Sequence, residues 1–291
     1  MPISVFTLAA LLIALHVGRY VVMAGGAYLV FWKWKSNPVT KTRRLQHAAF
    51  TSEDLRREVL LSLLTAVLFG SFFAVVYGGQ TPRPLVYSGL WGALEFCAWL
   101  LLVLVVHDTF FYWSHRLSHH RALFRHAHRV HHLSRNPSPF AALAFHPLDA
   151  FVQIIWAVPL GMLLPIPSSV WLAFAFVAMF INVLGHCGVE LYPRSWATHP
   201  VLGWLNSASA HDQHHLKLER NFGLYFTFWD RVCGTAERVA SVALEGATAS
   251  GVVELLHRPE ERAENAADDL DQHQRRDDHR HRDGEEAHRA Q

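Results

Sequence analysis

Long apolar stretches constrain this chain more than any other feature. Val59 to Tyr77 carries no charged side chain, and at 1.5 Å per residue a helix of this length crosses the core of a bilayer. Leu85 to Val106 forms another such stretch. Ile3 to Trp32 is also apolar; it is longer than a signal peptide and has no basic start, which favours a membrane helix. The sequence therefore predicts an all-α integral membrane protein with about four membrane-embedded helical elements.

Isolated polar residues in or beside these stretches have two readings. Glu95 is the one carboxylate in the Leu85 to Val106 stretch. A single charge inside a span is a functional candidate, and helix packing near the interface is an equally open role for it. Lone histidines such as His16, His47 and His257 are expected to be ordinary core or surface residues.

A basic loop between the first two spans sets the expected orientation. The loop runs from Lys33 to Arg57 and should lie in the cytoplasm, because cytoplasmic loops carry an excess of Lys and Arg. Two further crossings return the chain to that face at His107, where a histidine-rich stretch begins. We therefore expect a multi-pass protein of a bacterial inner membrane or the endoplasmic reticulum, with its histidines on the cytoplasmic side.

Two shorter apolar stretches, Phe151 to Leu164 and Val170 to Gly185, flank the turn-forming residues Pro165 to Pro167. Hydropathy alone would allow one broken span. One crossing would place later histidines on the opposite side of the membrane from the earlier ones. If all of them bind one metal cluster, the number of crossings between His132 and His186 must be even. The chemistry therefore predicts a tight hairpin whose halves need not fully cross the bilayer.

Histidines recur at helical spacing in three places, and they number 21 of the 291 residues. His115 and His119 lie four apart and share a helix face. The pattern HxxHH occurs twice, an outcome expected by chance in about one chain in a hundred of this composition. On a helix the paired histidines of HxxHH splay to either side, which suits a dinuclear metal site. The histidines of these two motifs are His128, His131, His132, His211, His214 and His215.

A further candidate pair lies at the end of the hairpin. Asn182 and His186 are four apart in INVLGHCGVELYP. Asn182 could hold a metal-bound water and His186 could ligate directly, and the ordinary alternative is a polar helix end. The three cysteines form no CxxC and no even framework, so a zinc ribbon, an iron–sulfur site and a disulfide scaffold are not indicated. The aromatic segment NFGLYFTFWDRVCGT is expected to pack under the histidines.

The metal and its chemistry follow in outline from the ligand type. Imidazole suits iron, copper and zinc, and affinity alone does not choose between them. Hydrolysis needs only one zinc ion with three protein ligands. A histidine-rich site at the inner face beside apolar helices points to a lipid substrate. Iron with O₂ is the chemistry that attacks an unactivated C–H bond.

Six segments carry a resemblance to a known family. In order along the chain they are HDTFFYWSHRLSH, HRVHH, FHP, NVLGHCGVELYP, HDQHH and NFGLYFTFWDRVCGT. Together they resemble the fatty acid hydroxylase superfamily, and within it the sterol desaturase branch of the sterol C-5 desaturase type. The likeness covers roughly residues 85 to 236. It implies a non-haem di-iron membrane oxidoreductase that uses O₂ and two electrons from a partner such as cytochrome b5 or a ferredoxin with its reductase.

The resemblance also implies a ligand set and a source of electrons. It assigns two iron ions, with zinc possible after purification, and makes Asn182 a water-mediated ligand. His146, His199 and Asp108 become candidates for residues that hold the ligands in place without binding the metal themselves. The chain has no cytochrome b5-like HPGG motif, so another protein is expected to supply the electrons. The implied direct ligands are His115, His119, His128, His131, His132, His186, His211, His214 and His215.

Two classes of function remain open at this point. One is a lipid desaturase or hydroxylase, and the other is a non-enzymatic metal carrier or transporter. A transporter should place ionisable residues along a path within its spans, whereas these histidines lie at the ends of spans, which favours the enzyme. No nucleic-acid partner is expected. The expected domains are membrane helices in 1–84, a catalytic domain in 85–236, and a charged, disordered tail in 237–291.

Overall fold

The computed structural model describes residues 4–34, 36–46, 50–77 and 83–237. The expected disordered tail lies outside this range from residue 238 onward, as do His47 and His257. Within the described residues the structure is helical and has no β-strand beyond two isolated bridges. Four of the described helices are long and apolar enough to cross a membrane, which confirms the predicted fold class. These helices are Val5–Lys33, Ser52–Val76, Gly89–Ser118 and Ser168–Gly185.

The first half of the chain forms two long helices joined by a short one. Helix α1 (Val5–Tyr28) begins at Ser4, whose side chain accepts a hydrogen bond from the Thr7 N–H, and continues as a π-helix over Leu29–Lys33. Helix α2 (Pro38–Arg43) leads to helix α3 (Ser52–Tyr77). The long helices approach so closely that a Cβ at Gly70 would lie 2.6 Å from the Cα of Ile13. Glycine at this position therefore permits the contact.

Helix α4 (Gly89–Ser118) carries His115 and ends just before His119, in agreement with the helical spacing predicted for this pair. The apolar stretch stops at Val106, and the helix continues through the polar residues that follow, among which there is no Gly or Pro. Glu95 lies near its start, where its carboxylate accepts the backbone N–H groups of Val86 and Tyr87 at 2.9–3.1 Å. This carboxylate thus fixes the chain entering the helix.

The middle of the chain forms the expected hairpin. Short helices α5 (Arg121–Leu123) and α6 (Arg129–His132) flank a π-helix over Phe124–His128. Helices α7 (Pro147–Ile155) and α8 (Ala157–Leu163) then descend to the Pro-containing turn, and helix α9 (Ser168–Gly185) returns. A 3₁₀-helix spans Pro139–Leu143, and two more span Arg194–Thr198 and Leu202–Trp204. Helices α10 (Ala208–Lys217) and α11 (Phe228–Val232) complete the described chain.

Helix α9 packs between two apolar cores. One core contains Tyr20 of α1 and Met179 of α9, and the other contains Val103 of α4 and Phe174 of α9. Large apolar side chains on the outer faces stay exposed, as they do for Phe6, which is 88% exposed. Exposed apolar faces of this extent suit contact with lipid tails. The amphipathic pattern of a soluble bundle is therefore absent from these helices.

The ends of α1, α3, α4 and α9 that carry polar contacts meet at one end of the bundle. The indole N–H of Trp32, in the π-helix after α1, donates to the Cys187 carbonyl 3.0 Å away, just after α9. Arg57 near the start of α3 donates to the Ser134 hydroxyl at 3.3 Å, just after α6. The hairpin therefore returns the chain to the end at which the first histidines lie, in agreement with an even number of crossings.

Candidate metal centre

Nine buried or half-buried histidines meet at this end of the bundle in two groups. In each group the candidate ligand atoms all lie within 4.8 Å of one another. Eight of the nine are buried, and His119 is half-buried. All nine histidines predicted as direct ligands are brought together, although their ligand role stays a prediction. The first group is His115, His119, His128, His132 and His214, and the second is His131, His186, His211 and His215.

Each HxxHH motif contributes to both groups. His128 and His132 enter the first group and His131 enters the second. The later motif is the mirror case, since His211 and His215 enter the second group and His214 enters the first. Residues four apart on a helix differ by about 40° in direction, whereas residues three apart differ by about 60° to the other side. The first histidine of each motif therefore joins the one four positions on, and the histidine three positions on faces the other group.

Distances between ring nitrogens within the groups fit metal coordination. Nε2 of His132 lies 3.1 Å from Nε2 of both His119 and His128. Nε2 of His211 lies 3.0 Å from that of His186 and 3.2 Å from that of His215. Two imidazole nitrogens bound at about 2.1 Å to one ion, at a right angle, stand about 3.0 Å apart.

Two further ring nitrogens make no hydrogen bond that would compete with a metal ion. Nε2 of His115 and Nε2 of His214 are buried and have no hydrogen-bond partner among the described residues. A buried polar atom left unsatisfied costs free energy, roughly 1–3 kcal/mol. A bound cation would satisfy both atoms. The donor set, entirely imidazole, suits iron, copper or zinc rather than calcium or magnesium.

In His115, His214 and His186 the opposite ring nitrogen is held by a backbone carbonyl. The Nδ1–H of His115 donates to the Phe222 carbonyl at 2.8 Å, and that of His214 donates to the Arg220 carbonyl at 2.7 Å. The Nδ1–H of His186 donates to the Asn182 carbonyl at 2.8 Å. Such bonds fix the tautomer that presents the Nε2 lone pair to a metal and also fix the plane of the ring.

Burial keeps these imidazoles neutral. It lowers the pKa of His214 to about 3 and that of His186 to about 4. Burial together with the neighbouring imidazoles holds the pKa values of His211 and His215 well below their usual range. A neutral imidazole carries the lone pair that a metal requires, so the site is ready to bind metal near neutral pH.

Comparison with known proteins agrees with this arrangement. Residues 100–235, which contain every member of both histidine groups, match the family model for fatty acid hydroxylase. This stretch of the chain is similar to the fatty acid hydroxylase family. No solved structure gives a significant match to it.

This chain is also similar to curated proteins of the sterol desaturase branch. It is 27% identical to the lathosterol oxidase of Homo sapiens over 245 residues, which cover 81% of this chain and 78% of that protein. It is 32% identical over 201 residues to a Delta(7)-sterol 5(6)-desaturase of Gibberella zeae, which cover 66% of this chain and 54% of that protein. The lathosterol oxidase of Rattus norvegicus is 26% identical over 249 residues. The branch predicted from the histidine motifs is thereby confirmed.

One residue that supports the histidines escaped the sequence analysis. The Nδ1–H of His128 donates to the Oδ2 of Asp149, 2.8 Å away, and both side chains are buried. A carboxylate behind a histidine raises its basicity as a ligand and offsets part of the charge of a bound cation. The available signal was a lone carboxylate in the apolar helical stretch Pro147–Leu163, the same signal that was noted at Glu95.

Asp108, a predicted supporting residue, supports the histidines indirectly, through a neighbouring loop. Its Oδ1 accepts the backbone N–H groups of Leu224, Tyr225 and Phe226 at 2.8–3.3 Å. Asp230 accepts those of Phe222 and Gly223 at 2.9 and 2.8 Å. The two buried carboxylates thus hold the loop whose Phe222 carbonyl orients His115. The aromatic segment packs below the histidines, as its composition indicated.

The other predicted supporting residues have local roles in this structure. Nδ1 of His146 accepts from the Leu148 N–H, and Nδ1 of His199 accepts from the N–H groups of Val201 and Leu202. Both histidines therefore cap the chain that follows them, and neither belongs to the two histidine groups. Caps of this kind explain a histidine placed directly before a proline at a helix start.

Asn182 contacts the second group through its backbone. Its carbonyl receives the His186 Nδ1–H, while its side-chain nitrogen donates to the Ala142 carbonyl at 2.6 Å. A small cavity of about 20 Å³ lies between Asn182, Glu190 and His211. This space is enough for one water molecule. The predicted water-mediated role of Asn182 stays a prediction that this cavity makes possible.

Proposed function

We propose that this protein is a membrane-bound non-haem di-iron oxidoreductase that uses O₂ to desaturate or hydroxylate a lipid of sterol or fatty-acyl type. The match to the fatty acid hydroxylase model and the likeness to sterol desaturases support a lipid desaturase or hydroxylase. The observation that carries the finer proposal is the division of nine histidines into two adjacent groups, each with the donors for one ion. A single structural zinc would need only four ligands.

The direct ligands in this proposal are the nine histidines, and iron is the preferred metal. Two iron ions, when bound, supply the electrons and Lewis acidity that activate O₂ against an unactivated C–H bond. In desaturation, a CH₂–CH₂ unit loses two hydrogens, and O₂ takes these together with two external electrons and two protons to leave as two waters. Hydroxylation instead places one oxygen atom of O₂ in the C–H bond, and the same two external electrons and two protons reduce the other oxygen atom to one water.

The chain's own residues supply the setting for this chemistry. Burial of the imidazoles keeps bulk water from the site and strengthens electrostatic interactions there. The Nδ1 bonds of His115, His186 and His214 hold the rings against reorientation during turnover. Asp149 is the one carboxylate bonded to a histidine of the groups in the described part of the chain. It offsets part of the positive charge that neutral ligands leave uncompensated.

The proposal includes an external electron donor and an inner-face site. The donor would be a protein such as cytochrome b5, or a ferredoxin with its reductase. The positive-inside rule places the Lys33 to Arg57 segment, and with it the histidine groups, on the cytoplasmic side. The relatives' names identify lathosterol and Delta(7)-sterols as the substrates to try first.

The test measures the metal content and the catalytic turnover of the same protein preparation. The full-length protein is purified anaerobically in nanodiscs, and iron and zinc are measured per chain. Reductase, donor protein, NADPH and O₂ are then supplied with a Delta(7)-sterol or a long-chain acyl lipid, and products are read by mass spectrometry. We expect two metal ions per chain and a product lacking two hydrogens or gaining one oxygen. Stoichiometric metal without lipid-dependent O₂ consumption would favour the metal-carrier alternative.

A further inference from the structure

A second polar feature lies deeper in the membrane-spanning part. A cavity of about 360 Å³ is lined mainly by α1, α3 and α9, with residues of α4, α7 and α8. It contacts no member of the histidine groups. Along α4 it ends at His107, about two turns before His115, and along α9 it ends at Ala178, about two turns before His186. The cavity is therefore separate from the candidate metal centre.

Most of the cavity wall is apolar, and two polar side chains of α1 interrupt it. Arg19 and His16 lie three residues apart on one face of that helix. Both are buried, with 8% of Arg19 and 3% of His16 exposed. The wall opposite includes aromatic residues such as Trp171 and Phe174. A buried cation beside an apolar cavity is the arrangement expected for an amphipathic ligand.

The donors of these two residues are largely unused. Arg19 donates from Nη1 to the Ala175 carbonyl, and its Nε has no partner among the described residues. Nδ1 of His16 bonds to the Leu12 carbonyl at 2.8 Å, which leaves its buried Nε2 without a described partner. A guanidinium carries five N–H donors. Most of its hydrogen-bonding capacity is thus available to a ligand.

Charge compensation is also missing from the wall. Among the described residues, none of the cavity-lining side chains is a carboxylate, and Arg19 takes part in no ion pair. Arg83, at the turn end of the same cavity, adds a second cation. An uncompensated charge in the membrane interior is strongly disfavoured and marks a functional site by default. The negative partner of Arg19 is then expected to come from the occupant.

We propose that this cavity binds a long-chain carboxylate lipid, with its head group on Arg19 and its chain along the apolar wall. A planar guanidinium matches the two oxygens of a carboxylate. A volume of about 360 Å³ lies in the range of pockets for single small ligands, roughly 300–1,000 Å³, which favours a one-chain lipid over a two-chain phospholipid. His16 lies beside the head group and supplies a further polar contact. This proposal does not depend on the proposed oxidase activity.

Binding of palmitate and of methyl palmitate to the full-length protein in nanodiscs tests it, without reductant or O₂. The wild-type protein should bind palmitate at least about tenfold more tightly than its methyl ester, since the ester lacks the charge. Arg19→Met should abolish this preference, and Arg19→Lys should keep part of it. Arg56→Met, which removes an exposed arginine of α3 that lies outside the cavity, is the matched control and should keep the preference.

Thermal unfolding provides the second measurement. Arg19→Met should raise the melting temperature of the lipid-free protein, because it removes an uncompensated buried charge, and should remove the stabilisation that palmitate gives the wild type. Equal affinity of the wild type for acid and ester would overturn the proposal. So would an unchanged preference in a folded Arg19→Met protein, or loss of the preference in Arg56→Met.

Discussion

His131 and His132 are neighbours in sequence, yet their imidazole planes are 79° apart and they belong to different histidine groups. The ring nitrogens separate them, since Nε2 of His132 lies 3.1 Å from Nε2 of both His119 and His128, whereas the candidate ligand atom of His131 lies with those of His186, His211 and His215. One turn of helix thus joins two candidate metal positions. Any motion of this segment would move a candidate ligand of each position together.

The first prediction concerns this pair. His131→Ala and His132→Ala should each lower the metal content from about two ions per chain toward one, and both should abolish lipid oxidation, because each removes a ligand from only one position. His120→Ala is the matched control, since His120 follows His119 directly but is exposed and lies outside both groups. Metal analysis and product formation are the measurements. Loss of both metals in His131→Ala alone would contradict independent positions.

The second prediction concerns Asp149. Asp149→Ala should weaken metal binding in the first group by about 10–100-fold, because His128 loses the partner that orients and polarises it. Asp149→Asn should lose less, since an amide oxygen still accepts the Nδ1–H. Asp54→Asn, a half-exposed carboxylate paired with Arg57, is the control. Competition with a chelator measures the affinity, and an unchanged Asp149→Ala protein would show that this contact is dispensable.

The third prediction is acid instability of the metal-free protein. The folded-state pKa values of His214 and His186, about 3 and about 4, lie below the unfolded value of 6.5. The unfolded chain therefore binds more protons below pH 6.5, and the free energy of unfolding falls as pH decreases from 6.5 toward 4. Each such histidine contributes up to about 1.4 kcal/mol per pH unit. Melting temperatures of the chelator-treated protein at pH 7.5, 6, 5 and 4 should fall in that order, and metal should oppose the fall.

The fourth prediction separates the ligand groups from nearby polar residues. His186→Ala and Asn182→Ala should lose lipid oxidation as the other ligand variants do, the former through its place in the second group and the latter through the small cavity beside His211. His146→Ala and His199→Ala should retain measurable activity, because both residues cap local backbone. Product formation at matched expression is the measurement. A silent Asn182→Ala would remove Asn182 from the proposed water-mediated role.

The fifth prediction concerns topology. In a chain with Cys97 and Cys233 changed to serine, single cysteines at Arg121 and Glu219, both exposed beside the histidine groups, should react with an impermeant reagent from the cytoplasmic side only. A cysteine at Ser88, at the opposite end of α4, should react from the other side. Inside-out and right-side-out vesicles supply the two sides. Labelling of positions 121 and 219 from opposite sides would contradict the shared site.

Local spacing in the sequence determined the helices, the branch of the family and the nine histidines that meet. These follow from rules of short range: the length of an apolar run, the turn of a helix and the four-residue repeat of His115 and His119. The sequence also required the hairpin to return, because His186 could join His131 in no other way. Hydropathy gave the end of the apolar stretch at Val106 and not the end of α4 at Ser118, because hydropathy records where apolar residues stop and not where a helix ends.

Only the tertiary structure decided which residues hydrogen-bond to the histidines and which residues line the membrane cavity. Asp149 meets His128 across 21 positions of the chain, and the Phe222 carbonyl meets His115 across 107. Arg19 reaches Ala175 across 156 positions, which creates the charged wall of the membrane cavity. No periodicity in the sequence records contacts at such separations. They depend on which helices pack against each other. Because the apolar faces of the helices are similar, that packing is set by two requirements together: the side chains must fill the interior, and the buried polar atoms must be hydrogen-bonded.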